Sequence, residues 1–220
     1  MVDKNKTLIA ALLDRSGSMH GREKFTADGF AELINGQKAE PGTALVTLAQ
    51  FDTVYEVVYQ NTPIAEVPPL NLVPRGGTAL NDGIGRLVSD IGEELAAMSE
   101  DERPGLVVVV IMTDGMENSS REWTAANIKE LIKRQEDQYS WRFIFLGSGI
   151  DVQEEATNLR GFSASTSLAF NVNSRDANVR AYAASSNLIS QYRRGTADGV
   201  GEAVMDSYSF TAEDREEAVK

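Results

Sequence analysis

The stretch Leu8-Ile-Ala-Ala-Leu-Leu-Asp14-Arg-Ser16-Gly-Ser18-Met19 joins a continuous apolar run to one carboxylate and two hydroxyls in the pattern Asp-x-Ser-x-Ser. A continuous apolar run is typical of a strand that is buried on both faces of a parallel sheet. The oxygen-bearing side chains follow where that strand ends, and hard cations such as Mg²⁺ prefer oxygen ligands. The stretch therefore predicts a metal site at a strand end, with a sharp turn at Gly17.

A second apolar run, Leu106-Val-Val-Val-Val-Ile-Met-Thr-Asp114, also ends in an acid. Strand-like and helix-like patterns alternate along the rest of the chain, which predicts an α/β fold with a doubly wound, mostly parallel central sheet and helices on both faces. Strands are predicted over 45–51 and 53–59, with only a tight turn at Asp52 between them. Because so short a connection joins only antiparallel neighbours, the sheet is expected to carry one antiparallel edge strand.

The chain has 220 residues, which fits one domain and a short appendage. Residues 1–194 are predicted to form the domain, and its last helix is expected over 174–193, with Ser174 as N-cap and Gly195 just beyond its end. Residues 195–220 contain glycines and many acids and are predicted to form an acidic C-terminal tail or extension without secure structure. The other predicted helices cover 25–37, 80–98, 121–138 and 151–159, and the other predicted strands cover 141–146 and 167–170.

In doubly wound sheets, ligands bind at the carboxyl ends of the strands. Asp14 and Asp114 both fall there, and the loop Arg75-Gly-Gly-Thr78 reaches the same rim if Thr78 opens the helix that follows. Each residue alone is better explained as a helix cap or a loop brace. Their joint placement favours a site that comprises Asp14, Ser16, Ser18, Thr78 and Asp114.

These motifs, in this order, resemble the metal-ion-dependent adhesion site of von Willebrand factor type A domains: Asp-x-Ser-x-Ser, a Gly-Thr loop and a Thr-Asp-Gly turn. The resemblance covers roughly residues 7–194, and Met19 and the short loops make the chain most similar to the intracellular members from bacteria and phages. It implies that the hydroxyls of Ser16, Ser18 and Thr78 bind Mg²⁺, with Mn²⁺ as the alternative ion. Asp14 and Asp114 then bind the ion directly or through water.

The resemblance also implies a metal-dependent protein-binding module, because an open coordination position on the ion attracts an Asp or Glu of a partner protein. The residues predicted to form the partner-binding rim are Arg15, His20, Gly77, Glu117 and Asn118. The alternatives for His20, Glu117 and Asn118 are roles in a solvent-facing loop or a turn.

Composition argues against several other classes. The net charge of −12 disfavours binding to a nucleic-acid backbone, and no apolar run is long enough to span a bilayer. The absence of cysteine excludes disulfides and zinc–thiolate sites and is compatible with a reducing cytosol. We therefore expect a cytoplasmic protein, located in the host cytoplasm if it is encoded by a phage.

No enzyme is predicted, because metal-dependent hydrolases gather more carboxylates or histidines and a serine hydrolase needs Gly-x-Ser-x-Gly. Two alternatives stay open. One is a self-assembling structural protein, and therefore an oligomer, in which tail acids such as Asp206, Glu213 or Asp214 reach the metal of a neighbouring copy. The other, which the motifs favour less, is a metal-dependent hydrolase.

Overall fold

The computed structural model describes residues 2–220 and contains a six-stranded sheet within them. Its strands are β1 (Asp3–Asp14), β2 (Thr43–Phe51), β3 (Tyr55–Pro63), β4 (Pro104–Thr113), β5 (Arg142–Gly147) and β6 (Ser167–Ala169). The strand order is β3-β2-β1-β4-β5-β6. Neighbouring strands are parallel except for β2 and β3, which are antiparallel. The predicted mostly parallel sheet with one antiparallel edge strand is therefore confirmed.

The strand order reverses between β1 and β4. From β1 the chain fills one side of the sheet with β2 and β3, and it then crosses to β4 on the other side. The two strands are in parallel register, with Leu13 opposite Met112. Asp14, the last residue of β1, and Asp114, which follows β4, consequently lie at the same edge, which is where ligands bind in folds of this type.

Helices cover both faces of the sheet, as predicted. The longer helices are α1 (Glu23–Lys38), α2 (Leu80–Ala97), α3 (Ala125–Tyr139) and α4 (Arg175–Asp198). Alternate residues of β1 point to opposite faces, so Ile9 packs in the apolar cluster with α1 and α4, whereas Leu8 packs in the cluster with α2 and α3. A strand that is covered on both faces must be apolar at every position, which explains its continuous run.

Two predicted helices differ from the structure. The helix predicted over 121–138 begins only at Ala125, because the backbone N–H groups of residues 121–123 donate to the carboxylate of Asp82 and Thr124 caps the helix instead. The segment predicted as helix over 151–159 is π-helical at Gln153–Asn158. Hydrophobic periodicity does not distinguish this wider helix from an ordinary one.

The predicted end of the last helix is wrong. Ser174 caps α4 as expected, and its Oγ accepts a hydrogen bond from the backbone N–H of Ala177 at 3.2 Å. Gly195, however, lies inside the helix and is buried, and a Cβ at this position would lie 2.4 Å from the sulfur of Met205. The helix ends instead at Gly199, whose φ of 69° is the left-handed conformation that favours glycine.

The expectation that residues 195–220 lack secondary structure is also wrong. The segment contains α5 (Glu202–Met205) and α6 (Ala212–Glu217). Met205, Phe210 and Ala218 are buried in the apolar cluster that includes α4. These apolar residues are isolated in an acidic stretch and their partners lie on other elements, so local composition does not reveal their burial. Within residues 2–220, none of the helices combines the length and apolarity that a membrane span requires.

Candidate metal site at the carboxyl end of the sheet

Asp14 closes β1 and is fully buried. Its Oδ1 accepts a hydrogen bond from the backbone N–H of Ser16 at 2.7 Å, and its Oδ2 accepts one from the hydroxyl of Thr113 at 2.6 Å. Burial raises the pKa of this carboxyl to about 6, although the hydrogen bonds from Thr113 and Ser16 lower it. Thr113 was not predicted as a site residue, and its only sequence signal is its position before Asp114.

Three further oxygen-bearing side chains form a connected chain beside Asp14. The hydroxyls of Ser16 and Ser18 are 2.9 Å apart, and the hydroxyl of Ser18 donates to Oδ1 of Asp114 at 2.6 Å. Ser18 lies in a single 3₁₀ turn, Gly17–Met19, which the buried side chain of Met19 anchors. The structure thus brings together Asp14, Ser16, Ser18 and Asp114 at one end of two adjacent strands.

Thr78 reaches the same edge from the loop before α2. Its backbone N–H donates to Oδ1 of Asn118 at 2.9 Å, and its carbonyl accepts hydrogen bonds from the backbone N–H groups of Asn118 and Ser119 at 3.0 and 3.2 Å. Thr78 does not cap α2, because Ala79 is the N-cap residue, and the first-turn N–H groups of Asn81 and Asp82 donate instead to the side chains of Glu117 and Ser120. Its hydroxyl makes no hydrogen bond within residues 2–220, although the residue is only 3% exposed.

The hydroxyls of Thr78 and Ser18 both lie beside Gly115. A Cβ placed on Gly115 would lie 3.2 Å from Oγ1 of Thr78 and 3.6 Å from Oγ of Ser18. Ser18 is exposed, so solvent reaches this position. With Asp14, Ser16 and Asp114 at the same edge, these hydroxyls make a set of three hydroxyls and two carboxylates. A set made only of oxygen fits a hard divalent cation such as Mg²⁺ or Mn²⁺.

A metal ion at this edge would need the hydroxyls as ligands in addition to the carboxylates. Among the described residues, no cluster of three or more histidines, aspartates, glutamates or cysteines is arranged to hold a metal ion. Asp14 and Asp114 are the two carboxylates of the candidate site. A cation at this edge would therefore depend on Ser16, Ser18 and Thr78 for the rest of its protein ligands.

The predicted rim residues lie in different environments. Gly77 sits against the loop after β4, where a Cβ would lie 2.9 Å from Oδ1 of Asn118. Glu117 accepts hydrogen bonds from the backbone N–H groups of Asn81, Ser119 and Ser120, so its carboxylate holds the turn together. His20 is exposed, and its Nδ1 lies 3.7 Å from the carboxylate of Glu23.

The structure does not bring the side chain of Arg15 to the rim. Arg15 is buried, and its guanidinium pairs with Asp52 and Glu56 at 2.8 and 2.7 Å. The Asp52 carboxylate also accepts a hydrogen bond from Nε of Arg75 at 2.8 Å, and so it anchors the start of the loop that carries Thr78. Burial raises the pKa of Asp52, but hydrogen bonds from Arg75, the Val54 backbone and Arg15 outweigh it and hold this pKa below its ordinary value.

Arg22 is a site residue that the sequence did not reveal. Its Nη1 donates to the carbonyl of Ser18 at 2.7 Å and forms an ion pair with Oδ2 of Asp114, while its Nε donates to Oδ1 of Asn173 at 2.9 Å. The guanidinium thereby connects the Asp-x-Ser-x-Ser loop, the end of β4 and the segment before α4. These partners lie up to 151 residues from Arg22 in the chain, so no local pattern marks Arg22.

In sequence comparisons, no protein-family model and no curated protein matches the chain. Solved structures do. Proximal thread matrix protein 1 from the mussel byssus gives a TM-score of 0.59 at 15% identity, covering 84% of this chain and 46% of that one. A von Willebrand factor type A protein from Catenulispora acidiphila gives 0.54 at 16% identity, covering 89% of this chain and 43% of that one. The manganese-loaded TRAP protein of Plasmodium vivax gives 0.52 at 15% identity, covering 82% and 74%.

These comparisons concern the fold. The chain spans less than half the length of the mussel and Catenulispora proteins. Together with the strand order and the single antiparallel edge strand, the matches show that the chain has the Rossmann-like fold of a von Willebrand factor type A domain.

Proposed function

We propose that this protein is a metal-dependent protein-binding module. In this proposal Asp14, Ser16, Ser18, Thr78 and Asp114 hold Mg²⁺, and an Asp or Glu of a partner protein completes the coordination of the ion. The observation that carries the proposal is the hydroxyl of Thr78, which lies beside Gly115 and the hydroxyl of Ser18 and has no hydrogen-bond partner within residues 2–220. This oxygen is not among the fully buried polar atoms that lack a partner, so it is open to solvent and available to a ligand.

The charge of the donor set supports a carboxylate partner. The hydroxyls are neutral, and one of the two carboxylates, Asp114, is already paired with Arg22. When bound, the ion would supply a positive centre that the protein neutralises only in part, and such a centre attracts an external anion. Mn²⁺ is the alternative ion, and the TRAP protein of similar fold was solved loaded with manganese.

The proposal assigns no catalytic residue. Both oxygens of Asp14 accept hydrogen bonds, from Ser16 and Thr113, and both oxygens of Asp114 are engaged by Ser18 and Arg22. In the chain without an ion, neither carboxylate is therefore an unengaged general base of the kind that hydrolysis by an activated water requires. The hydrolase alternative therefore has no observation in its favour.

The self-assembly alternative relied on the acids of the C-terminal segment. Asp206 pairs with Arg142 at 2.5 Å, and Asp214 accepts a hydrogen bond from the backbone N–H of Thr211, which caps α6. Glu213 is exposed. Two of the three acids thus already have partners in their own chain. The oligomeric state and the cytoplasmic location stay predictions.

Titration calorimetry with MgCl₂ and MnCl₂ tests the metal site. We expect saturable binding by the natural chain, and binding weakened at least about tenfold in Ser18→Ala, because a ligand is lost. The matched control is Ser207→Ala, whose hydroxyl donates to the carbonyl of Val204 far from the site and whose loss is expected to leave the metal affinity unchanged. Absence of binding to the natural chain contradicts the proposal.

A peptide array tests the partner chemistry. Each peptide that contains Asp or Glu is paired with its Asn or Gln counterpart, and the protein is applied in Mg²⁺ or in EDTA. We expect the protein to bind only peptides that contain the acid, and only in Mg²⁺. We also expect Ser18→Ala to lower this binding. Equal binding in EDTA, or equal binding to the amide counterparts, argues against a carboxylate that completes the coordination of the ion.

A further inference from the structure

Arg22 places a permanent positive charge in the candidate metal site. The side chain of Asp114 is 1% exposed, and that of Arg22 is 25% exposed. The guanidinium contacts Oδ2 of Asp114, and the other oxygen of this carboxylate accepts the hydrogen bond from Ser18. Within residues 2–220, Arg22 is the one basic residue that pairs with Asp114.

The pairing gives the buried carboxylate of Asp114 a positive partner within the chain itself. A buried carboxylate needs a positive partner or several hydrogen bonds, and removal of that partner is strongly destabilising. Arg22 provides such a partner to Asp114. A divalent cation that binds Asp114 would lie close to the guanidinium of Arg22. The two positive charges would repel each other, most strongly where water is partly excluded.

The other contacts of Arg22 determine where its guanidinium lies when its ion pair with Asp114 breaks. Its Nε donates a hydrogen bond to Asn173, in the segment before α4, and this hydrogen bond does not involve Asp114. The residue is the N-cap of α1, so its backbone position is set by that helix. A guanidinium released from Asp114 therefore stays at the solvent-accessible rim, where an incoming carboxylate is a favourable partner for it.

We propose that Arg22 is a built-in competitor of the metal ion: the ion displaces its guanidinium from Asp114, and the displaced guanidinium then faces the carboxylate of the partner. The proposal rests on the metal site described under the proposed function. It makes Arg22 a positioning residue that lowers metal affinity in the free protein and favours an acidic partner once the ion is bound.

Calorimetric titration of the full chain with MgCl₂ tests the competition. We expect Arg22→Gln to bind Mg²⁺ about tenfold more tightly than the natural chain, which is the lower end of the couplings measured for close charge pairs. Arg175→Gln is the matched control, because Arg175 also links α4 to α1, through Asp28 at 2.6 Å, and loses the same charge away from Asp114. We expect it to change the dissociation constant by less than about twofold, since salt screens the more distant charge.

Thermal unfolding separates competition from a merely structural role. Competition predicts that Arg22→Gln is less stable than the natural chain without metal and that saturating Mg²⁺ reduces this difference, because a ligand stabilises the state that it binds more tightly. A purely structural role predicts the same loss of stability in both conditions and unchanged or weaker metal binding. The latter result overturns the proposal.

Nuclear magnetic resonance of the natural chain provides a test that does not depend on the folding of a variant. The Nε–Hε signal of Arg22 is expected to shift during titration with MgCl₂, while that of Arg175 stays in place. A signal of Arg22 that does not move at saturating Mg²⁺ overturns the competition and leaves the metal site intact. If the natural chain shows neither a heat of Mg²⁺ binding nor any shifted signal, the proposed metal site is wrong. Failure of the metal site is thereby distinguished from failure of the competition alone.

Discussion

Asp14 and Thr78 are both buried at the edge of the sheet, but their polar atoms are satisfied differently. Both oxygens of Asp14 accept hydrogen bonds from groups of the protein, so this carboxylate braces the loop within the chain itself. The hydroxyl of Thr78 has no such partner within residues 2–220. At the residue scale, a substitution of Thr78 is therefore expected to affect ligand binding with little effect on folding.

Thr78→Val removes this hydroxyl and keeps the shape of the side chain. We expect the affinity for Mg²⁺ to fall at least about tenfold, because a ligand is lost, and the free energy of unfolding to change by less than about 0.5 kcal/mol. Titration calorimetry and urea unfolding measure the two effects. The matched control is Thr26→Val in α1, whose hydroxyl is buried without a partner.

Because an unpaired buried hydroxyl is costly, we expect Thr26→Val to increase the free energy of unfolding by about 1 kcal/mol and to leave metal binding unchanged. Retention of full Mg²⁺ affinity by Thr78→Val removes Thr78 from the ligand set. A large loss of stability in the same variant shows instead that its hydroxyl supports the fold.

At the scale of elements, α1 and α4 are in close contact where Gly29 faces Tyr182. A Cβ on Gly29 would lie 2.4 Å from the ring of Tyr182 and 3.2 Å from the carbonyl of Asn178. Polar groups are buried in the same interface, where Nε2 of Gln37 donates to the carbonyl of Ser186 at 2.8 Å. The apolar periodicity of α1 and α4 predicts that both helices form. The distance between them depends on the contact of Gly29 with the ring of Tyr182, which periodicity does not reveal.

Gly29→Ala is expected to reduce the free energy of unfolding by about 1–3 kcal/mol, because the added methyl meets a fully buried ring and a backbone carbonyl. Gly92→Ala in α2 is the control, since a Cβ at that position has no neighbour within 4 Å. There we expect stabilisation of up to about 1 kcal/mol from higher helix propensity. Urea unfolding measures both, and stabilisation by Gly29→Ala would show that the two helices can separate without cost.

At the scale of the whole molecule, the C-terminal segment closes over the end of α3 and β5. Arg142 of β5 pairs with Asp206 and Glu202 of this segment, and its guanidinium lies 5.4 Å from the centre of the Tyr192 ring. Glu136 of α3 is half-buried beside this cluster. Burial raises its pKa from 4.5 to about 7, although the charge of Arg142 opposes the shift.

A carboxyl with a raised pKa binds its proton more tightly in the folded chain. Its contribution to stability is fully present below the unfolded pKa and is lost as the pH rises through the folded value of about 7. We therefore expect Glu136→Gln to increase the free energy of unfolding by about 2 kcal/mol near pH 8 and by clearly less at about pH 5.5. Urea unfolding across this range measures the difference.

Glu130→Gln, an exposed position on the same helix, is the matched control, and we expect it to change the free energy of unfolding by less than about 0.5 kcal/mol. If Glu136→Gln gives the same change at both pH values, its carboxyl titrates near its ordinary pKa and the C-terminal segment does not shield it from water.

The sequence by itself determined the sheet and the order of its elements. A strand such as β1 is apolar at every position because both of its faces are covered, and this signal is local. The short turn at Asp52 likewise predicted the antiparallel edge strand. The motifs also indicated that Asp14, Ser18 and Asp114 meet, because the carboxyl ends of adjacent parallel strands lie at one edge.

Only the tertiary structure decided which side chains face that edge and which support it. Arg15 lies inside the predicted motif but turns into the protein towards Asp52, whereas Arg22 lies outside the motif and pairs with Asp114. The burial of Met205 and Phe210 was equally hidden, because their partners are on other elements. Strand and helix patterns depend on neighbours in sequence, whereas ion pairs and the packing of isolated apolar residues depend on groups that only the folded chain brings together.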